Sequence, residues 1–321
     1  MLKKYSAALV LLTAGCIALV HAQRPEGIRP SVYAHVDAKP INEMSGIVKS
    51  PGRDNVFWVH NDSGDTARIF AINAEGKTIL PTYSKFSYYG EVPEKGKEQW
   101  QGFPVLDATN VDWEDIAVDE NYLYLADMGN NGNSRRDLAI YLVSEIDPTA
   151  STRTAVIQRL PIVYPDQHDF PPAERHFDSE SLFTADGKLY LITKHRAGMF
   201  ENAEAGAKLY RLDTQFTDQD NVLTLVDRNS EIMSATGADV SPDGQTLAVL
   251  SYSALWFFAK PASDDLWLSA PAEQVPLDRG AIKQAEAVTW VDNDTLLVTN
   301  EGGDIFRLQR SQLPRSPLKS R

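Results

Sequence analysis

One short phrase returns five times along this chain, and that repetition restricts the fold more than any other feature. The phrase opens on a hydroxyl or carboxylate residue, runs on as a short apolar strand, and leads to a second apolar strand that ends in polar residues. Its five versions are Ser45-Gly46-Ile47-Val48, Glu114-Asp115-Ile116-Ala117-Val118, Glu180-Ser181-Leu182-Phe183, Thr236-Gly237-Ala238-Asp239-Val240 and Glu286-Ala287-Val288-Thr289-Trp290. Internal repetition at this period implies an array or a propeller. If the repeats close into a ring, Ser45, Glu114, Glu180, Thr236 and Glu286 converge on its axis.

Each repeat reads as up to four strands. The first has Ser45–Val48, Val56–His60, Arg68–Ile72 and a weaker Thr78–Tyr83, and the other complete repeats follow the same order. Apolar and aromatic residues fill the strands, and Asp186-Gly187, Asp243-Gly244 and Asn293-Asp294 mark turns between them. The fifth repeat lacks an outer strand, which would leave an open sheet edge. Val32–Val36, ahead of the first repeat, is strand-like and unassigned. Placed beside Ile305–Leu308 it completes the last blade and locks the ring. The expectation is an all-β, five-bladed β-propeller closed by an N-terminal strand. The alternative is a six-bladed ring with a degenerate blade within Lys85–Val111, a stretch that reads as a long loop.

The first residues read as a secretory signal. Lys3 and Lys4 precede an apolar run from Ala7 to Val20, with Val20-His21-Ala22 before Gln23. Cleavage there takes the formal charge from −13 to about −15. The expected organisation is a signal peptide at 1–22, a single propeller domain at 23–310 and a basic tail at 311–321. The expected location is secreted or periplasmic, with no transmembrane segment in the mature chain. Cys16, the single cysteine, lies inside the apolar run, so lipid anchoring through Thr13-Ala14-Gly15-Cys16 is the competing reading. The mature domain then holds no disulfide and rests on core packing or bound metal. Its acidity and lack of a basic stripe argue against a nucleic-acid partner. A monomer is expected.

In a propeller the innermost strand starts near the face on which the second strand ends. That mouth therefore collects the five leading residues and the five exits. Three carboxylates and two hydroxyls held together repel or take up protons unless a cation joins them. Hard oxygen donors suit calcium better than zinc, so Ser45, Glu114, Glu180, Thr236 and Glu286 are candidate calcium ligands. The bland reading is that each Glu caps a strand through neighbouring backbone amides. Asp62, Asp127 and Glu301, on second-strand exits, are candidates for activating water, and His195 for acid–base work. Lys194 and Arg196, with Arg68, Asn61 and Tyr252, are candidate contacts to a small anionic substrate. No His-x-x-x-His pair, Gly-x-Ser-x-Gly elbow or phosphate loop in strand–helix context occurs.

These phrases resemble the calcium-activated nucleotidases (apyrases). In that family five blades surround an axial calcium held by Ser, Glu, Glu, Ser and Glu in chain order. The order here is Ser45, Glu114, Glu180, Thr236, Glu286, with Thr for one Ser. Trp113-Glu114-Asp115-Ile116-Ala117-Val118 is similar to the family's Trp-Glu-Gly-Leu-Ala-Val, with Asp115 for Gly, and Ser179-Glu180 matches its Ser-Glu. The resemblance covers the repeat starts and implies calcium and phosphate chemistry. His60-Asn61-Asp62-Ser63-Gly64, Arg135-Arg136 and Thr236-Gly237-Ala238-Asp239 also resemble secreted bacterial propellers of unassigned function. Two functions follow as expectations. One is a calcium-dependent hydrolase of a small, phosphate-containing anion. The other is a non-catalytic propeller binding a ligand or another protein, with calcium as a structural rivet.

Overall fold

In the computed structural model, which describes residues 27–85, 100–120, 122–198, 202–314 and 316–317, the repeats form five blades. The innermost strands are Met44–Lys49, Trp113–Asp119, Arg175–Ala185, Ala235–Val240 and Ala285–Trp290. Each pairs antiparallel with the next strand of its blade: Phe57–Asn61, Tyr122–Asp127, Lys188–Ala197, Thr246–Ser251 and Thr295–Asn300. Every innermost strand lies beside the next around the ring, and the fifth lies beside the first. The five-bladed expectation holds. The segment proposed for signal and cleavage, 1–22, lies outside the described residues, and no described helix is long and apolar enough to cross a membrane.

Closure follows the expected route. Ala34–His35 pairs antiparallel with Asp304–Gln309, Ala34 opposite Ile305 and His35 opposite Asp304. Upstream, Ile28 bridges to Leu277 at the end of blade 4, so the N-terminal segment ties two blades before it closes the ring. At the other terminus, Ser316–Pro317 pairs with Ala272–Pro276 on the outer edge of blade 4.

Blade 1 departs from expectation. Its outer strand was expected at Thr78–Tyr83, but only Thr78–Ile79 pairs with Arg68–Ile72. The rest of that edge is taken by Phe103–Leu106, inside the stretch read as loop. Phe103–Leu106 is antiparallel to Arg68–Ile72 and parallel to Thr154–Val163 of blade 2, so blades 1 and 2 form one continuous sheet. Four residues with alternating burial make too short a pattern to stand out in sequence. Phe103 earns the position by burial against Trp58 and Trp100.

Five hydrophobic clusters hold the ring, one at each interface between neighbouring blades. Both faces of every blade are therefore buried, and strand side chains alternate between two clusters. Trp58 enters the interface of blades 1 and 2, whereas Phe57 and Val59 enter that of blades 5 and 1. Trp256 and Phe258 likewise face blade 3 while Phe257 faces blade 5. This explains why the strands read as continuous apolar runs.

Polar bonds between innermost strands supplement this packing near the axis. Asp115 of blade 2 accepts from the Leu182 amide of blade 3 at 2.7 Å, and Asp239 of blade 4 accepts from the Trp290 amide of blade 5 at 2.8 Å. Both aspartates are buried, so removing either leaves an amide unsatisfied. Asp115→Ala and Asp239→Ala are each expected to lower stability by about 1–3 kcal/mol, read as a reduced urea midpoint. A midpoint unchanged in both would remove these bonds from the account of ring stability.

Candidate metal centre at the propeller mouth

The five leading residues share one structural position. In each blade the pairing between the innermost and second strands skips a single residue. Met44 pairs with Asn61 and Gly46 with His60, which leaves out Ser45. The same shift leaves out Glu114 between Trp113 and Asp115, Glu180 between Ser179 and Ser181, Thr236 between Ala235 and Gly237, and Glu286 between Ala285 and Ala287. Each is thus the extra residue of a β-bulge, a device that bends the strand and re-aims one side chain. Gly46 suits this distortion, because a Cβ there would sit 2.3 Å from His60 Nε2.

The bulged residues are all buried but differ in their partners. Ser45 Oγ donates to the Glu114 carbonyl at 2.8 Å, and Thr236 Oγ1 donates to the Ala285 carbonyl at 2.9 Å. Both hydroxyls thereby tie neighbouring blades together. Glu180 Oε1 accepts from Lys194 Nζ, and Lys194 also donates to the Tyr252 hydroxyl at 3.3 Å. Tyr252 in turn donates to Glu286 Oε1 at 3.0 Å. Glu180 Oε2 is buried with no partner.

Carboxylate oxygens come within 4.8 Å of one another in two groups among the described residues: Glu114–Asp178–Glu180 and Asp62–Asp112–Glu114. Glu114 belongs to both. Asp112 and Asp178 were not singled out from the sequence. Each stands two residues before a ring glutamate, in Asp112-Trp113-Glu114 and Asp178-Ser179-Glu180; that repeated Asp-x-Glu spacing was the available signal. Gly129 gives this corner its room, since a Cβ there would lie 2.1 Å from Glu114 Oε1 and 2.4 Å from Asp112 Oδ2.

Burial dominates the electrostatics. It pushes Glu114 well above the usual carboxylate range, reinforced by Glu180, Asp62, Asp178 and Asp112. Burial raises Glu286 to about 9, with Glu180 adding to it, and Glu180 to about 7 against the pull of Lys194. Asp112 rises to about 6 through burial and the nearby Asp62 and Asp178. Burial would lower the Lys194 ammonium, but Glu180 and Asp178 outweigh it and hold the group raised. The cluster thus carries more carboxylate than its one internal cation balances.

Other predicted site residues have distinct places. Asp62 is half-buried at the solvent side of the cluster, with its carboxyl raised mainly by burial. Glu301 accepts from Gln284 at 2.8 Å, and burial followed by the Asp62 charge raises it. Asp127 accepts from the Asp112 amide at 3.0 Å and pairs with Arg135 at 2.9 Å, so it braces Asp112. Arg196 pairs with Asp178 at 3.2 Å. Arg68 is bound through two nitrogens to Asp65, and Asn61 holds that loop by donating to Asp65 and to the Pro40 carbonyl, each at 2.7 Å. His195, beside Lys194 in sequence, instead stacks on His176 with centroids 3.8 Å apart, against Gly206. Burial there holds its pKa down to about 3.

No protein-family profile matches this chain, and no curated protein sequence does. Among solved structures the chain is similar to a luciferin-regenerating enzyme, with TM-score 0.44 and 14% identity over 91% of this chain and 81% of that one. It is also similar to the major allergen Mala s 1 of Malassezia sympodialis, with TM-score 0.46 and 10% identity over 84% of this chain and 92% of that one. A protein of unknown function from Bacteroides thetaiotaomicron aligns with TM-score 0.39 and 10% identity, over 84% and 69% of the two chains. At these scores and identities no chemistry passes from those proteins to this one.

The raised carboxyls make stability depend on pH in a definite direction. Between the unfolded glutamate value of about 4.3 and native values near 7 for Glu180 and 9 for Glu286, the folded chain holds protons that the unfolded chain has released. Rising pH therefore favours unfolding across that window. In chelator the thermal midpoint is expected to fall from pH 5 to pH 9, and less steeply in Glu180→Gln. A flat or rising profile in chelator would contradict the burial of these charges.

Proposed function

We propose that this propeller binds a calcium ion at its mouth and hydrolyses a small phosphate-containing anion there. The observation that carries the reading is the Glu114–Asp178–Glu180 group, buried and bearing an unpartnered carboxylate oxygen on Glu180. Such an oxygen is costly in the interior unless something positive meets it. The donors are all hard oxygens with no sulfur or imidazole among them, which fits calcium better than zinc. The likeness of the repeat starts to calcium-activated nucleotidases and the secretory reading of 1–22 support the same choice.

On this reading Glu114, Asp178 and Glu180 hold the ion, while Asp62 and Asp112 face it from the solvent side. Ser45, Thr236 and Glu286 complete the ring around it through the interblade hydrogen bonds and the Tyr252 contact. Bound calcium would polarise a substrate oxygen or a water molecule. Asp62, half-buried with a raised carboxyl, is placed to accept a proton from that water. Lys194 keeps Glu180 ionised and, through Tyr252, orients Glu286. Arg135 and Asp127 fix the Asp112 backbone.

One observation favours the non-catalytic reading. Lys194, Arg196, Arg135 and Arg68 are each paired with a carboxylate, so an anion must be attracted chiefly by the ion itself. Calorimetric titration of metal-stripped protein separates the possibilities. Calcium is expected to bind with Kd of about 10⁻⁵ to 10⁻³ M, and binding should be lost in Glu114→Gln and Asp178→Asn. Turnover of nucleotides or phosphate monoesters that needs calcium and is lost in Asp62→Asn would establish the hydrolase. Binding without turnover leaves the rivet. An absence of calcium binding overturns both.

A further inference from the structure

The innermost strands run away from the mouth, and at their far ends they leave a second cavity of about 390 Å3, lined by residues of all five blades. None of the mouth residues lines it. Its walls are built from Val48, Val118, Val240 and Trp290, so most of a ligand's surface would meet apolar groups.

The polar groups of this cavity are mostly committed elsewhere. Thr184 Oγ1 donates to the Val118 carbonyl at 2.8 Å, and Thr289 Oγ1 donates to Asp239 Oδ2 at 2.9 Å. The same Asp239 oxygen accepts from the Trp290 amide. Ser241 Oγ donates to Asp243 at 2.6 Å and accepts from the Thr246 amide at 3.0 Å. Asp186 pairs with Lys260 at 2.8 Å. Two groups are left over. Ser50 is fully buried and its Oγ has no partner. Lys49 has no carboxylate within ion-pair distance among the described residues.

A buried hydroxyl without a partner is uncommon and calls for an explanation such as an absent ligand. We propose that this cavity binds a small organic acid, with its apolar or aromatic body against Val48, Val118, Val240 and Trp290 and its carboxylate bonded to Lys49 and Ser50 Oγ. One cation and one hydroxyl match a singly charged carboxylate. An amine would find Asp239 and Asp186 already engaged. A phosphate dianion would bring two charges to a site with one cation and aspartates in its wall.

Phenylacetate is a suitable probe, followed by NMR in chelator so that the result does not depend on the metal centre. Saturable binding is expected with Kd below about 1 mM. The affinity should fall about tenfold in Lys49→Gln and in Ser50→Ala, the worth of one charge-assisted hydrogen bond, and stay unchanged in Glu114→Gln. Phenethylamine and phenyl phosphate should bind at least tenfold more weakly than phenylacetate. The proposal is overturned by an absence of saturable phenylacetate binding, by affinity unchanged in both cavity variants, or by phenethylamine or phenyl phosphate binding as tightly. Lys49 is partly exposed, so Lys49→Gln tests the site without disturbing the core.

Discussion

The mouth of this propeller depends on five one-residue bulges. A regular strand buried on both faces sends its side chains alternately into the two neighbouring interfaces, where carboxylates cannot be accommodated. Skipping one residue at the start of each innermost strand frees that residue from the alternation. Ser45, Glu114, Glu180, Thr236 and Glu286 occupy these positions. The five apolar interfaces can then close without having to accept a charge.

The five positions have diverged unequally. Blades 1 and 4 place hydroxyls there, and each hydroxyl joins its strand to the next blade. Blades 2 and 3 place glutamates there and add a second acid two residues earlier, which concentrates negative charge on one side of the axis. Blade 5 contributes Glu286, hydrogen-bonded to Tyr252 and raised mainly by burial. Lys194 is the one cation inside this arrangement, and its bonds to Glu180 and Tyr252 connect blades 3, 4 and 5. The ring is fivefold in backbone but not in charge.

The two ends of the axis offer opposite chemistry. At the mouth, acids exceed the cations that face them, and a buried carboxylate oxygen is left without a partner. At the far end the acids are engaged, and a hydroxyl and an ammonium remain. Both ends are built from the same innermost strands, so one short repeat supplies two unlike environments some five residues apart along each strand.

By itself the sequence determined the ring: five repeat starts, their apolar strands and an N-terminal strand able to pair with Asp304–Gln309 were legible because burial on both faces leaves a strong local pattern. It also placed Ser45, Glu114, Glu180, Thr236 and Glu286 at equivalent positions. Only tertiary structure decided that these residues are bulges, since a register shift is defined by the partner strand and not by the strand that carries it. The same holds for Asp112 and Asp178, which become neighbours of Glu114 only when blades 2 and 3 meet. It holds for Lys194 and His195 as well, consecutive in the chain yet committed to a carboxylate cluster and to a histidine stack. Phe103–Leu106 was hidden for a related reason, because its strand character comes from two foreign edges rather than from its own four residues. Local pattern specifies which segments must be buried. What stands beside what, and therefore what charge each group carries, depends on contacts between segments far apart in the chain.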